Sequence, residues 1–186
     1  MPWIELKTPA EIAALLLGLG FPIAVGLGFR IGWVLGGLSA LLNGIIALVS
    51  GYYMDLALNV FYLGISASTF LGWKTKEVEF KQMGRNKTAF WLVIPLIPSL
   101  LYSLVSPYIP GANWGFADGI TTFYSLGATY LLSQKIRWAW LIFIPINALS
   151  AGMYFLRDYP IFALQFCGAK LFSPLGISTL GNKTLT

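Results

Sequence analysis

Seven apolar runs, each close to the length that crosses a bilayer, follow one another at about 10–29, 32–52, 54–73, 88–109, 117–134, 138–155 and 159–179. The hydrocarbon core is about 30 Å thick and takes about 20 apolar residues of helix. Seven such spans use roughly 140 residues of a chain of 186. What remains suffices for connections, so residues 1–186 read as one membrane domain. Only 10% of the residues are charged, where a soluble domain carries about a quarter. In lipid each backbone N–H and C=O needs a partner within the protein, which leaves helices as the form for runs of this length. The expectation is an all-α integral membrane protein with seven transmembrane helices.

Several chemistries are excluded by residue counts. There is no histidine, so no His ligand, His base or His-containing triad exists, and the one cysteine, Cys167, permits no internal disulfide. No Gly-x-x-x-x-Gly-Lys-[Ser/Thr] loop offers a nucleotide site. An intramembrane hydrolase would need a nucleophile with an activating base, and only a Ser–Lys pair using Lys170 survives on paper. The chain therefore reads as a non-enzyme without cofactor, metal or nucleic-acid partner. Its first residues, MPWIELKTPAEI, lack a basic leader, so the first span is expected to be retained.

Five of the 12 basic residues, Lys74, Lys76, Lys81, Arg85 and Lys87, crowd into the connection at 73–88. By the positive-inside rule this connection is cytoplasmic, together with Arg30, Lys135, Arg137 and Lys183. Seven spans then put the N-terminus outside and the C-terminus inside. On this topology the glycosylation-like Asn86-Lys-Thr and Asn182-Lys-Thr carry no meaning.

An internal repeat organises the spans. Glu11, Gly20, Arg30 and Trp33 align with Asp118, Gly127, Arg137 and Trp140 at a constant offset of 107 (118 − 11), and Tyr53 and Asn59 with Tyr159 and Gln165 at 106 (159 − 53). Two three-span units, 10–73 and 117–179, therefore flank a linking helix at 88–109. Three is odd, so a linking helix gives both units the same orientation, related by an axis along the membrane normal.

The run Tyr53-Met-Asp-Leu-Ala-Leu-Asn-Val-Phe-Tyr62 followed by Gly72-Trp73, and the series Asp118, Ser125, Leu131-Leu132, Lys135, Trp140, Asn147 and Tyr154, resemble the PnuC family of bacterial vitamin transporters. The resemblance spans about residues 10–179. It implies a 3+1+3, SWEET-like arrangement in the bacterial inner membrane, a homotrimer, and facilitated diffusion of nicotinamide riboside trapped inside by a cytosolic kinase. Two positions depart from the family pattern: Trp140-Leu-Ile-Phe143 stands where nicotinamide riboside members carry Trp-x-x-Trp, and Asn59 where many carry Gln. Thiamine and riboflavin carriers of the same family are the alternatives. A non-transporting receptor or assembly subunit is the alternative of another class.

On the sixth span Trp140, Phe143, Asn147, Ala151 and Tyr154 recur at helical spacing on one face. Amides in hydrocarbon need partners, either a neighbouring helix or a ligand. Asn59, Asn147 and Gln165 are taken together as a shared central site. Trp33 and Trp140, each three residues after an Arg, read either as interface belt or as walls that attract a cationic ring. The expected substrate-binding set is Trp33, Asn59, Tyr62, Trp140, Phe143, Asn147, Tyr154 and Gln165. Glu11 and Asp118 read as solvated span beginnings favoured by the helix dipole, and Lys170 either lines the cavity or snorkels to the cytosolic face. Gly32, Gly36, Ala40 and Gly44 form a small-residue stripe for close helix packing. Pro22, Pro95, Pro98 and Pro145 lie within spans, where they interrupt helical hydrogen bonding.

Overall fold

The computed structural model describes residues 2–73, 80–109 and 114–156, with positions 163 and 166. These residues form helices α1 (Pro2–Gly26), α2 (Ile31–Ser50), α3 (Tyr53–Gly72), α4 (Arg85–Val93), α5 (Leu96–Val105), a 3-10 turn Ser106–Tyr108, α6 (Gly115–Ser133) and α7 (Trp138–Leu156). Among the described residues there is no β-strand, only an isolated bridge between Lys81 and Ile136. Five stretches are long and apolar enough to cross a membrane: Pro9–Gly26, Ile31–Ser50, Tyr53–Gly72, Arg85–Tyr108 and Trp138–Leu156. Helix α6 is 19 residues long but is diluted by Thr121, Thr122, Ser125, Thr129 and Ser133. Of the run expected at 159–179, only Ala163 and Phe166 are described, and both are helical.

Two expectations are corrected. Helix α1 begins at Pro2, well before position 10, so Glu11 lies inside the helix and is only 9% exposed. It is not a solvated helix start. The span expected at 88–109 corresponds to the crossing Arg85–Tyr108, but its helix is not continuous: α4 ends at Val93 and α5 begins at Leu96, because Pro95 has no N–H to continue the ladder and its ring crowds the preceding turn. Pro22 and Pro145 instead sit inside unbroken helices.

The helices pack in two groups, α1 with α2 and α2 with α3 in one, α5 with α6 and α6 with α7 in the other, and α3 meets α6 between them. Close approach of α1 and α2 depends on glycine. A Cβ on Gly32 would sit 2.6 Å from Val25 Cγ2, and one on Gly36 would sit 2.7 Å from Phe21 Cδ2. Gly44 faces α3 instead, where a Cβ would sit 3.4 Å from the Asn59 Cβ. The stripe thus serves two neighbours, since a straight helix rotates a four-residue series slowly around its axis.

The α1–α2 and α6–α7 turns correspond bond for bond. Gly28 N–H donates to Val25 O (3.0 Å) and Phe29 N–H to Ala24 O (2.8 Å); 107 residues on, Lys135 N–H donates to Leu132 O (2.9 Å) and Ile136 N–H to Leu131 O (2.9 Å). This pair of bonds is the Schellman ending of a helix, which places one residue in the left-handed region. Gly28 has φ 84° and Lys135 φ 59°. The next helix starts alike, with Trp33 N–H on Arg30 O (3.1 Å) and Trp140 N–H on Arg137 O (3.2 Å).

The apolar core gathers at the end of the bundle where these two turns lie. It includes Val25, Trp33, Trp73, Leu131, Leu132, Trp140 and Ile146. Trp73, just after α3, packs 5.7 Å from Trp33, donates its indole N–H to Gly28 O at 3.4 Å and lies under the Lys135 ammonium at 4.8 Å. Lys81 joins the same end to the second turn: its N–H donates to Lys135 O (2.7 Å) and its carbonyl accepts from Arg137 N–H (3.1 Å).

Candidate functional site

A cavity of about 180 Å³ lies between the two helix groups, with walls from α1, α2, α3, α6 and α7. It reaches from Ser50, Tyr52, Asp55 and Asp118, at the end away from the aromatic core, down to Phe21, Gly36, Leu132, Trp140 and Phe143 beside that core. Toward the core its walls close: Trp140 is 2% exposed and Leu132 fully buried.

Six of the eight expected site residues, Asn59, Tyr62, Trp140, Phe143, Asn147 and Tyr154, line this one cavity. The face read from the sixth span explains why α7 presents Trp140, Phe143, Asn147 and Tyr154 together, with Ser150 and Met153 between. Asn147 is buried. Asn59 donates its side-chain N–H to Asp55 O at 2.8 Å, which ties the amide down one turn and leaves its oxygen as an acceptor. Tyr62 shares the cavity wall with Ser125 and Thr129 of α6. Tyr154 stacks on Phe166, with centroids 5.4 Å apart and planes 7° apart.

Trp33 is placed elsewhere. It does not line the cavity; it is fully buried, with Phe21 edge-on at 5.3 Å and 72° and Trp73 beyond. Its indole N–H has no hydrogen-bond partner among the described residues. Gln165 and Lys170 lie outside the described residues.

Several lining residues were not singled out by sequence. Helix α6 contributes Thr121, Ser125 and Thr129, four residues apart on one face. That spacing of hydroxyls in an otherwise apolar run was the signal available. Hydroxyls on membrane helices commonly bond their own backbone, as Thr121 does to Ala117 O (3.0 Å), which hides the pattern. Asn43 and Ser39 also line the cavity. Ser39 donates to Ala14 O across the α1–α2 contact (2.9 Å) and accepts from the Asn43 amide (3.3 Å). The side-chain oxygen of Asn43 is buried without a hydrogen-bond partner among the described residues. Asp55 and Asp118 line the cavity too, and the described lining residues include no Lys or Arg.

A multi-pass helical membrane protein holding a polar and aromatic cavity between two helix groups has the layout of a small-molecule carrier. The chain matches the family described as nicotinamide mononucleotide transporter over residues 8–178 and belongs to that family, which is one of transporters and not of enzymes. Its fold is similar to that of a solved structure titled "Crystal structure of the Vitamin B3 transporter PnuC", with TM-score 0.75 at 16% sequence identity over 92% of this chain and 81% of that one. Comparison with curated proteins gave no match.

Proposed function

We propose that this protein carries nicotinamide riboside across the bacterial inner membrane by facilitated diffusion, with a cytosolic kinase trapping the product. The carrying observation is the make-up of the cavity: aromatic rings and amides with two carboxyl groups, Asp55 and Asp118, and no basic side chain among the described lining residues. A cationic pyridinium suits aromatic faces, and ribose hydroxyls suit Asn and Tyr side chains. Among the described lining residues the phosphate of a mononucleotide would meet carboxyl groups and no cation, and like-charge juxtaposition is costly. The riboside is favoured over the mononucleotide for this reason. Thiamine, also a cationic ring, is the second reading. Riboflavin is neutral, so it gains less from the carboxyl groups and aromatic faces of this cavity.

The architecture in this reading is 3+1+3, with a seventh helix at 159–179 completing the second unit and the broken Arg85–Tyr108 span as the link. The bond-for-bond agreement of the α1–α2 and α6–α7 turns supports it, as does the left-handed residue each turn carries at equivalent positions. Alternating access then comes from one unit rocking against the other around the cavity. The basic residues Arg30, Lys81, Arg85, Lys135 and Arg137 gather at the aromatic end, which the positive-inside rule assigns to the cytoplasm. The N-terminus is then outside and the C-terminus inside, and the cavity in this structure reaches toward the outer side. A homotrimer is the assembly the family resemblance implies.

Uptake of radiolabelled nicotinamide riboside, nicotinamide mononucleotide, thiamine and riboflavin into proteoliposomes, without nucleotide or ion gradient, tests this. Saturable equilibration of the riboside and none of the mononucleotide is expected. Preference for thiamine would move the reading to the second vitamin. Transport of none by folded protein would overturn the carrier reading in favour of a non-transporting subunit.

A further inference from the structure

We infer that Phe21 on α1 is a substrate-contacting and specificity-determining residue, the aromatic wall opposite Trp140 and Phe143, and that Gly36 and Trp33 are positioning residues that hold its ring. The inference rests on the reading above, that the solute carries a ring.

Phe21 lines the same cavity as Trp140 and Phe143. The three rings come from helices with different neighbours: α1 packs on α2, and α7 on α6. The cavity therefore has an aromatic side on each helix group, not on α7 alone.

The Phe21 ring is held from two directions. Trp33 meets it edge to face at 5.3 Å and 72°, a favoured geometry for aromatic pairs. On another side it lies over Gly36, where an added Cβ would come 2.7 Å from Cδ2 and 3.2 Å from Cε2 and Cγ. Real Cβ atoms do not approach ring carbons so closely, so a side chain at position 36 displaces the ring. Trp33, fully buried behind it, blocks withdrawal in that direction. A ring fixed in this way loses little freedom when a ligand stacks on it, which is how a prepared wall gains affinity.

The offset of 107 shows how the two sides complement each other. Phe21 corresponds to Ala128 and Gly36 to Phe143. Each unit spends one phenylalanine and one small residue at this depth, with the ring on the first helix in one unit and on the second helix in the other. The two rings enter the cavity from different helices. A planar solute between them contacts Phe21 on one side and Phe143 with Trp140 on the other.

The test is equilibrium binding of nicotinamide riboside and thiamine, read by calorimetry on purified full-length protein, for wild type, Phe21→Ala, Phe21→Leu and Gly36→Ala. Thermal unfolding without ligand is measured alongside. Loss of one aromatic wall for a cationic ring is expected to weaken binding about 3- to 30-fold in Phe21→Ala. Phe21→Leu keeps the apolar volume and should show most of the same loss, a result that simple wall packing would not produce. Gly36→Ala, which leaves the ring present but displaced, should also weaken binding. Wild-type affinity in Phe21→Leu, or loss in Phe21→Ala that Phe21→Leu fully restores, would overturn the inference while leaving the carrier reading intact. Absence of wild-type binding to either ring would overturn both.

Discussion

The hairpin α1–α2 and the hairpin α6–α7 share the backbone bonding of their turns and differ in what surrounds it. Their turns match bond for bond at an offset of 107, yet the equivalent tryptophans have different surroundings. Trp140 lines the cavity, whereas Trp33 is sealed behind Phe21 and against Trp73. The cause lies one helix away: position 21 is Phe and its counterpart 128 is Ala. A large ring separates one indole from the cavity, whereas a methyl group stands at the equivalent position beside the other, which is buried in the cavity wall. The same contrast runs along the first helix of each pair, where Gly18 and Pro22 stand opposite Ser125 and Thr129, all four lining the cavity. At these positions α1 supplies small and apolar groups where α6 supplies hydroxyls. Duplicated backbone geometry therefore does not duplicate chemistry.

The sharpest way to break this contrast is at the tryptophans. Trp33→Ala removes a fully buried indole and should cost about 3–5 kcal/mol of stability, seen as a lower unfolding temperature in detergent. Trp140→Phe, which keeps a ring, should unfold close to wild type and instead weaken vitamin binding by calorimetry. Equal effects of both on binding with none on stability would erase the distinction.

Helix approach gives a second contrast. Gly32→Ala places a Cβ 2.6 Å from Val25 Cγ2 and 2.8 Å from its backbone nitrogen, and overpacking of this kind costs about 1–3 kcal/mol. The counterpart already is alanine, Ala139, so the reverse change Ala139→Gly should cost about 0.5–1 kcal/mol, the entropy of glycine in a helix. Thermal unfolding of the pair decides whether α1–α2 is the tighter contact.

Asn147 and its counterpart Ala40 separate chemistry from packing, since both line the cavity. Asn147→Ala removes the amide and should slow riboside uptake about tenfold, as a lost ligand hydrogen bond of about 1.4 kcal/mol does. Ala40→Asn in that background should not restore it, because the new amide projects from the other wall. Initial uptake rates in proteoliposomes give the comparison.

The smallest effects belong to the turns. Gly28→Ala puts a Cβ at φ 84° and should cost about 1 kcal/mol. Lys135→Gly relieves a similar strain at φ 59° but removes the ammonium over Trp73, worth about 0.5–1 kcal/mol at an exposed site. Its unfolding temperature should stay near wild type.

Much of this molecule is legible from its residues. The five apolar crossings fall where long runs with few charges are, because burying a polar backbone in lipid leaves helix as the remaining form. The face carrying Trp140, Phe143, Asn147 and Tyr154 follows from helical spacing, and all four line one cavity. The early start of α1 was hidden because Pro2–Thr8 carries polar residues that hydropathy reads as a tail. An interruption was expected at four prolines, but spacing does not say which of them ends a helix: the chain breaks at Pro95 and runs on through Pro22 and Pro145.

By itself, then, the amino-acid order determined the membrane class, five crossings, the clustering of basic residues and the spacing offset of 107 between matching residues, since each depends on local composition or fixed spacing along one chain. Only the tertiary structure decided that Trp33 is walled off, that Gly32 and Gly44 serve different neighbours, and that α6 adds a row of hydroxyls to the cavity. Those outcomes depend on which side chain of another helix occupies the adjoining volume. Spacing along one helix carries no information about that volume until the helices are packed.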